Sequence, residues 1–205
     1  MSNKLPACFI SHGGGPWPYL HSMEPVMANL KASLEGMVRE LGAKPKAVLM
    51  ISGHWEASVF SVSPHPNPPM LYDYTGFPKH TYEVQYLAPG APELAQRVVG
   101  LLRAAGLDAQ ADAQRGFDHG TFTPLVVMYP EADVPIVQLS FLSGCGDRQG
   151  CRSWVRSRRW ITPCWCQHSR RMEPGDRHRV STAISTDLGR NIGCCAAHVV
   201  RAAPR

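Results

Sequence analysis

Apolar positions recur along the first 143 residues with two alternating rhythms, and the rhythms stop afterwards. Residues 6–11 form a short apolar run ending in Gly13-Gly-Gly15-Pro16, the pattern of a buried strand entering a loop. Between residues 21 and 41, Met23, Val26, Met27, Leu30, Leu34, Met37, Val38 and Leu41 fall at helical spacing and predict one apolar stripe. Residues 47–52 predict a second buried strand and residues 58–62 a third. A long stretch from Pro64 to Pro78, rich in proline and aromatic residues, predicts a loop of the kind that lines a site. Pro92 opens a second helix carrying Leu94, Val98, Leu101 and Leu102, with Gly106 placed to stop it. A further helical stretch covers residues 123–128, and residues 134–140 predict a last strand. Strands alternating with helices predict an α/β fold: a mainly parallel central sheet flanked by helices, with functional loops at the strand C-terminal ends.

Composition adds a boundary. The chain has 205 residues, a length that suits one domain or one domain with an extension, since single domains run to about 100–200 residues. Up to Ser143 there are nine Lys and Arg against twelve Asp and Glu; from Gly144 onward there are twelve basic residues against four acidic, and all twelve are arginine. Six of the seven cysteines lie beyond Gly144, together with a single leucine, Leu188, and no phenylalanine, tyrosine or lysine. So few large aliphatic side chains cannot build much core. Residues 1–143 are therefore expected to form an incomplete α/β domain. Residues 144–205 are expected to be an irregular, atypical tail, disordered or out of frame.

Several meanings of the tail can be weighed. Arginine invites a nucleic-acid reading, and Cys164-Trp-Cys166 with Cys194-Cys195 invites a zinc reading. The arginines are scattered, however, and no C-x-x-C pair is present, so no nucleic-acid partner is expected. GC-rich coding DNA translated out of frame yields this mixture of arginine, cysteine and tryptophan without hydrophobic period. One choice of codons for residues 175–179, shifted by one nucleotide, gives Val-Ile-Gly-Thr-Gly, a strand and turn. No apolar run approaches the roughly 20 residues needed to span a bilayer, and the first residues lack a secretory pattern. A cytoplasmic protein without membrane partners is expected.

Candidate chemistry lies in three histidine motifs. Ser11-His12-Gly-Gly-Gly-Pro16 and Ser52-Gly-His54-Trp-Glu56 each set a histidine at a predicted strand end. Neighbouring parallel strands end on one sheet edge, so His12 and His54 could share a metal there; each also reads as an ordinary loop histidine bonded to backbone. Imidazole suits zinc or iron, and two histidines with open positions suit non-haem Fe(II). Gly116-Phe-Asp-His119-Gly120 precedes the last helix. His119 there is a candidate general acid/base, and Asp118 a candidate for orienting it or for touching substrate. The same motif also reads as a helix-capping loop. His80 is a candidate substrate contact, Glu56 a fallback ligand, and Asp73 and Tyr74 are expected to serve a turn. No G-x-S-x-G elbow, phosphate loop or dinucleotide fingerprint is present.

Six motifs in order, His12-Gly-Gly-Gly-Pro16, Ser52-Gly-His-Trp-Glu56, Tyr72-Asp-Tyr-Thr-Gly-Phe-Pro78, Tyr86-Leu-Ala-Pro-Gly90, Gly116-Phe-Asp-His-Gly120 and Val134-Pro-Ile-Val-Gln-Leu-Ser140, carry a resemblance. Over about residues 5–142 the chain resembles the class III extradiol ring-cleavage dioxygenases, in the 4,5-DOPA dioxygenase-like branch. The resemblance implies an α/β fold, a mononuclear Fe(II) centre with Zn(II) as the other ion, and opening of a catechol with dioxygen. It maps metal ligation onto His12 and His54 and acid/base work onto His119. Family members are longer and take further metal-site histidines from their C-terminal part, one after a Gly-Ser/Thr-Gly strand end, and no such motif stands in residues 144–205. His168, His178 and His198 are the histidines of that segment. The alternative expectation is an inactive truncated or frameshifted remnant that binds metal weakly without catalysis.

Overall fold

The computed structural model describes residues 7–143, 193–196 and 200–201. The elements follow in the order β1 (Ala7–Phe9), α1 (Glu24–Leu41), β2 (Val48–Ala57), β3 (Phe60–Val62), α2 (Pro92–Ala104), β4 (Ala109–Ala111), α3 (His119–Met128), β5 (Ile136–Leu142), β6 (Gly193–Ala196) and β7 (Val200–Arg201). They build one sheet in the order β1-β7-β6-β2-β5-β3-β4. Strand β2 runs parallel to β5 and β6, and β3 parallel to β4; β3 lies antiparallel to β5. The expected mainly parallel α/β sheet is present.

Strand alternation separates two cores. Val48 and Met50 of β2 and Ile136 of β5 face one cluster, with Leu34 of α1 and Phe122, Leu125 and Met128 of α3. Leu49 of β2 and Val137 and Leu139 of β5 face the other, with Ala95, Val98 and Val99 of α2. Each fully buried side chain of this size contributes roughly 1.5–3 kcal/mol. The same parity places Ser52 and Gln138, both fully buried, on the α3 side. Those are polar residues in core positions.

The differences from the sequence expectation are local. The first helix begins at Glu24 because residues His21–Met23 form a 3-10 turn, with Pro25 in the first helical turn. Its stripe is shallower than predicted: Leu34 is the only residue of α1 that is fully buried, and Val26 is 76% exposed. Strand β2 continues past Ser52 to Ala57 through a register shift between Ile51 and Glu56. The third helix starts at His119, ahead of the predicted residue 123, because Asp118 caps it. Strand β4 was not expected; three residues, Ala-Gln-Ala, are too few to show alternation. The second helix matches: it opens at Pro92, and Gly106 follows it at φ +77°.

The tail, expected to be irregular, contributes the two short strands β6 and β7, pairing Leu49 with Cys194, Cys8 with Cys195 and Cys8 with Val200. Strands of four and two residues carry no readable period. Residues 144–192, 197–199 and 202–205 lie outside the described residues. With them lie the expectations of disorder or a shifted frame, and the side chains of His168, His178 and His198.

Candidate metal centre

Three histidines reach one point at the sheet edge from separate elements. His12 stands in the loop after β1, where Gly13 and Gly15 adopt positive φ of +75° and +53°. A Cβ at Gly13 would lie 2.5 Å from Trp17 Nε1, and one at Gly15 would run into the Phe77 ring. The Trp17 indole N–H donates to the His12 carbonyl at 2.8 Å and fixes the turn. His54 lies on β2 within its register shift, with its backbone N–H donating to Ser52 Oγ at 3.2 Å. His119 is the first residue of α3 and is 6% exposed.

The rings converge closely. His54 Nε2 lies 3.1 Å from His12 Nε2. Ring centroids are 4.8 Å apart for His12 and His54, 5.0 Å for His12 and His119, and 4.1 Å for His54 and His119. One ligand atom from each of the three lies within 4.8 Å of the others, close enough to hold one metal ion. Behind two of the rings sits Asp73: its Oδ1 accepts from the His119 backbone N–H at 2.9 Å and meets His119 Nδ1 at 2.8 Å. Its Oδ2 lies 3.4 Å from His54 Nδ1.

Electrostatics agrees with ligation. Burial lowers the His54 pKa, the neighbouring His119 lowers it further, and Asp73 and Asp118 offset this only in part. The shift favours the neutral imidazole, the form that binds metal. For Asp73, burial by itself would raise the pKa. The hydrogen bonds from the His119 side chain and backbone, and the charges of His119 and His54, outweigh it and keep the carboxylate below its ordinary value. The donor set therefore fits iron(II) or zinc(II), both of which take imidazole.

Under the histidines lies a buried polar layer centred on Asp118, which is 0% exposed. Its Oδ1 accepts from Ser52 Oγ at 2.6 Å and from the Thr121 N–H at 3.0 Å, capping α3. Its Oδ2 accepts from Gln138 Nε2 at 2.7 Å and pairs with the Arg115 guanidinium. Arg115 also donates to the His54 carbonyl and lies 4.9 Å over the Trp55 ring. Gly120 lets α3 approach β2: a Cβ there would sit 2.7 Å from His54 Cδ2 and 2.9 Å from Ser52 Oγ.

The other sequence candidates have other surroundings. Asp118 has no exposed surface with which to meet substrate. His80 is exposed on the 3-10 turn Lys79–Tyr82, with Nε2 3.2 Å from the Tyr19 carbonyl. Glu56 is exposed on β2, opposite Phe141, and does not belong to the histidine cluster. Asp73, expected to serve a turn, is instead the carboxylate shared by His54 and His119. Tyr74 packs with its ring centroid 5.8 Å from that of His119, and its hydroxyl donates to the Thr81 carbonyl. Burial pushes the Tyr74 phenol up to about 12. The only available signal for Asp73 was an acid in a loop too long to be a mere connection.

Comparison with known proteins gives the chain its relatives. The family described as the catalytic LigB subunit of aromatic ring-opening dioxygenase matches residues 6–154. A dioxygenase named tasH, from Hapsidospora irregularis, is 39% identical over 145 residues, covering 67% of this chain and 44% of that protein. A 4,5-DOPA dioxygenase extradiol from Beta vulgaris is 43% identical over 136 residues, covering 66% of this chain and 49% of that protein. A crystal structure of an uncharacterized protein from Escherichia coli K12 is 36% identical with a TM-score of 0.43, covering 55% of this chain and 40% of that one. The chain spans about half the length of the curated relatives it matches.

Proposed function

The chain belongs to the aromatic ring-opening dioxygenase family of the catalytic LigB subunit, and from that premise we propose that it serves extradiol opening of a catechol by dioxygen. The observation that carries the reading is the convergence of His12, His54 and His119 at one sheet edge, with ligand atoms within 4.8 Å of one another. In this reading His12 and His54 hold iron(II), with zinc(II) as the competing ion, and His119 moves protons. Bound iron(II) would supply a path for electrons between the catecholate and dioxygen. His119 Nε2, at the ring edge away from Asp73, takes the proton a catechol hydroxyl releases and returns one as the ring opens beside the two hydroxyls, giving a muconic semialdehyde-type product. The buried Asp118 layer holds the strand and helix that carry His54 and His119.

Catechol and dioxygen are the proposed small-molecule partners. Among the described residues no helix is long and apolar enough to cross a membrane; the cytoplasmic location is proposed from the sequence alone. We also infer that the change of composition near residue 144 marks a change of reading frame after the 1–143 domain, which the nucleotide sequence around codon 144 decides.

The test is anaerobic loading of the full chain with iron(II), then oxygen uptake and the rise of yellow product with several catechols. His12→Ala and His54→Ala should each sharply reduce bound iron; unchanged stoichiometry in both would overturn the shared site. The ligand-atom spacing also favours a second reading, in which His119 is a third ligand. Loss of iron in His119→Ala would establish that reading in place of the proton role.

A further inference from the structure

We propose that Asp73 is the positioning residue of this centre, a single carboxylate that sets the tautomers of His54 and His119 together so that both rings present Nε2 as a free electron pair. The inference deepens the metal-centre reading and rests on His54 being a ligand. A neutral imidazole carries one proton, and the partner of one nitrogen decides which nitrogen carries it. A carboxylate can only accept. Asp73 Oδ1, 2.8 Å from His119 Nδ1, therefore calls for N–H at that position; Oδ2, 3.4 Å from His54 Nδ1, draws the His54 proton to Nδ1 by its charge across an ion-pair distance. Both Nε2 atoms are left unprotonated, and His54 Nε2 is the atom that approaches His12.

The loop that carries Asp73 is strapped to the segment preceding His119. The Leu71 N–H donates to the Phe117 carbonyl at 2.8 Å, and the Phe117 N–H to the Pro69 carbonyl at 2.8 Å. A Cβ at Gly116 would collide with that same Pro69 carbonyl, so only glycine admits the pairing. The His119 backbone N–H, an obligatory donor, then fixes Oδ1 at 2.9 Å. The carboxylate is placed by backbone on both sides and does not depend on the rings it orients.

Asp73→Asn isolates the effect. The amide oxygen stays with the His119 N–H and Nδ1–H, which turns the NH2 group toward His54 Nδ1. That nitrogen must then accept, and the His54 proton moves to Nε2, where it blocks ligation. In the full chain, metal-free and with 15N-labelled histidine, long-range 1H–15N spectra should show Nδ1–H on His54 and His119 in the wild type. In D73N they should show Nε2–H on His54, with His119 unchanged. Cobalt(II) titration should show about a 10–100-fold weaker affinity in D73N, the usual scale for losing a carboxylate behind a ligating histidine. Nε2–H on either histidine in the wild type overturns the proposal without any variant, which keeps it testable if D73N fails to fold. An unchanged His54 tautomer in D73N with wild-type cobalt affinity also overturns it, because a merely structural Asp73 would move only the melting temperature. If cobalt does not bind the wild type, the metal-centre reading fails, and the tautomer spectra still decide the role of Asp73.

Discussion

The two polar regions that meet at His119 obey different rules. At the sheet edge, His12, His54 and Asp73 are partly exposed, and His12 and His54 face each other Nε2 to Nε2 at 3.1 Å. One residue below, Asp118 is sealed and saturated, with donors from Ser52, Thr121, Gln138 and Arg115 on its two oxygens. The edge is arranged to receive something, and the layer beneath is arranged to receive nothing. Consecutive residues of one motif, Asp118 and His119, thus divide into a sealed support and a member of the histidine cluster. A buried charge is tolerated only when fully paired, so the supporting carboxylate has no capacity left for a ligand.

Removing His119 should give the largest effect on turnover and test the edge side of this comparison. His119→Ala is expected to slow catechol opening by about 10²–10⁴, the scale for losing a general acid or base, with iron retained. The check is steady-state oxygen uptake beside metal analysis. Asp118→Ala should be the most damaging change to stability. It strands the Arg115 charge and the Ser52 and Gln138 donors, and breaking a buried pair from one side costs about 3–5 kcal/mol. Urea unfolding of the two proteins measures it, and a loss below about 1 kcal/mol would mean the layer is not the support described here.

Gly120→Ala couples the two regions. Its methyl would press on His54 Cδ2 and Ser52 Oγ, and such overpacking costs typically about 1–3 kcal/mol. Here both the melting temperature and metal affinity should fall, whereas a fall in stability alone would uncouple the regions. The smallest expected effect is Tyr74→Phe, which removes one hydrogen bond to the Thr81 carbonyl and should cost about 0.5–1.5 kcal/mol. Thermal melts resolve that size, and iron binding should be unchanged because the Tyr74 hydroxyl points away to the 3-10 turn.

Much of this arrangement was legible in the order of residues. Local periodicity marked α2 and the interiors of β2 and β5, because the spacing of apolar side chains along one element follows from that element's own geometry. The meeting of His12 and His54 was legible for a related reason. Both follow apolar strand runs, and parallel strands of one sheet end on the same edge. The third helix was legible as a helix, and the Asp118-His119 pair as a start signal or an acid/base motif, without a means to choose between them.

Tertiary structure alone decided the rest. Asp73 lies 46 residues from His119, in a loop whose path is set by backbone pairing with Phe117, and no local pattern reports such a path. Ser52 and Gln138 are polar residues in apolar strand runs, and their partner, Asp118, lies 66 and 20 residues away in sequence. The shallow burial of α1, with Val26 76% exposed, is likewise not contained in the α1 sequence, whose stripe predicts a buried face. Sequence period determines which face of an element is apolar. Which partner that face meets, and which of two adjacent side chains is sealed and which left open, depends on contacts between segments distant along the chain, and those exist only once the sheet has formed.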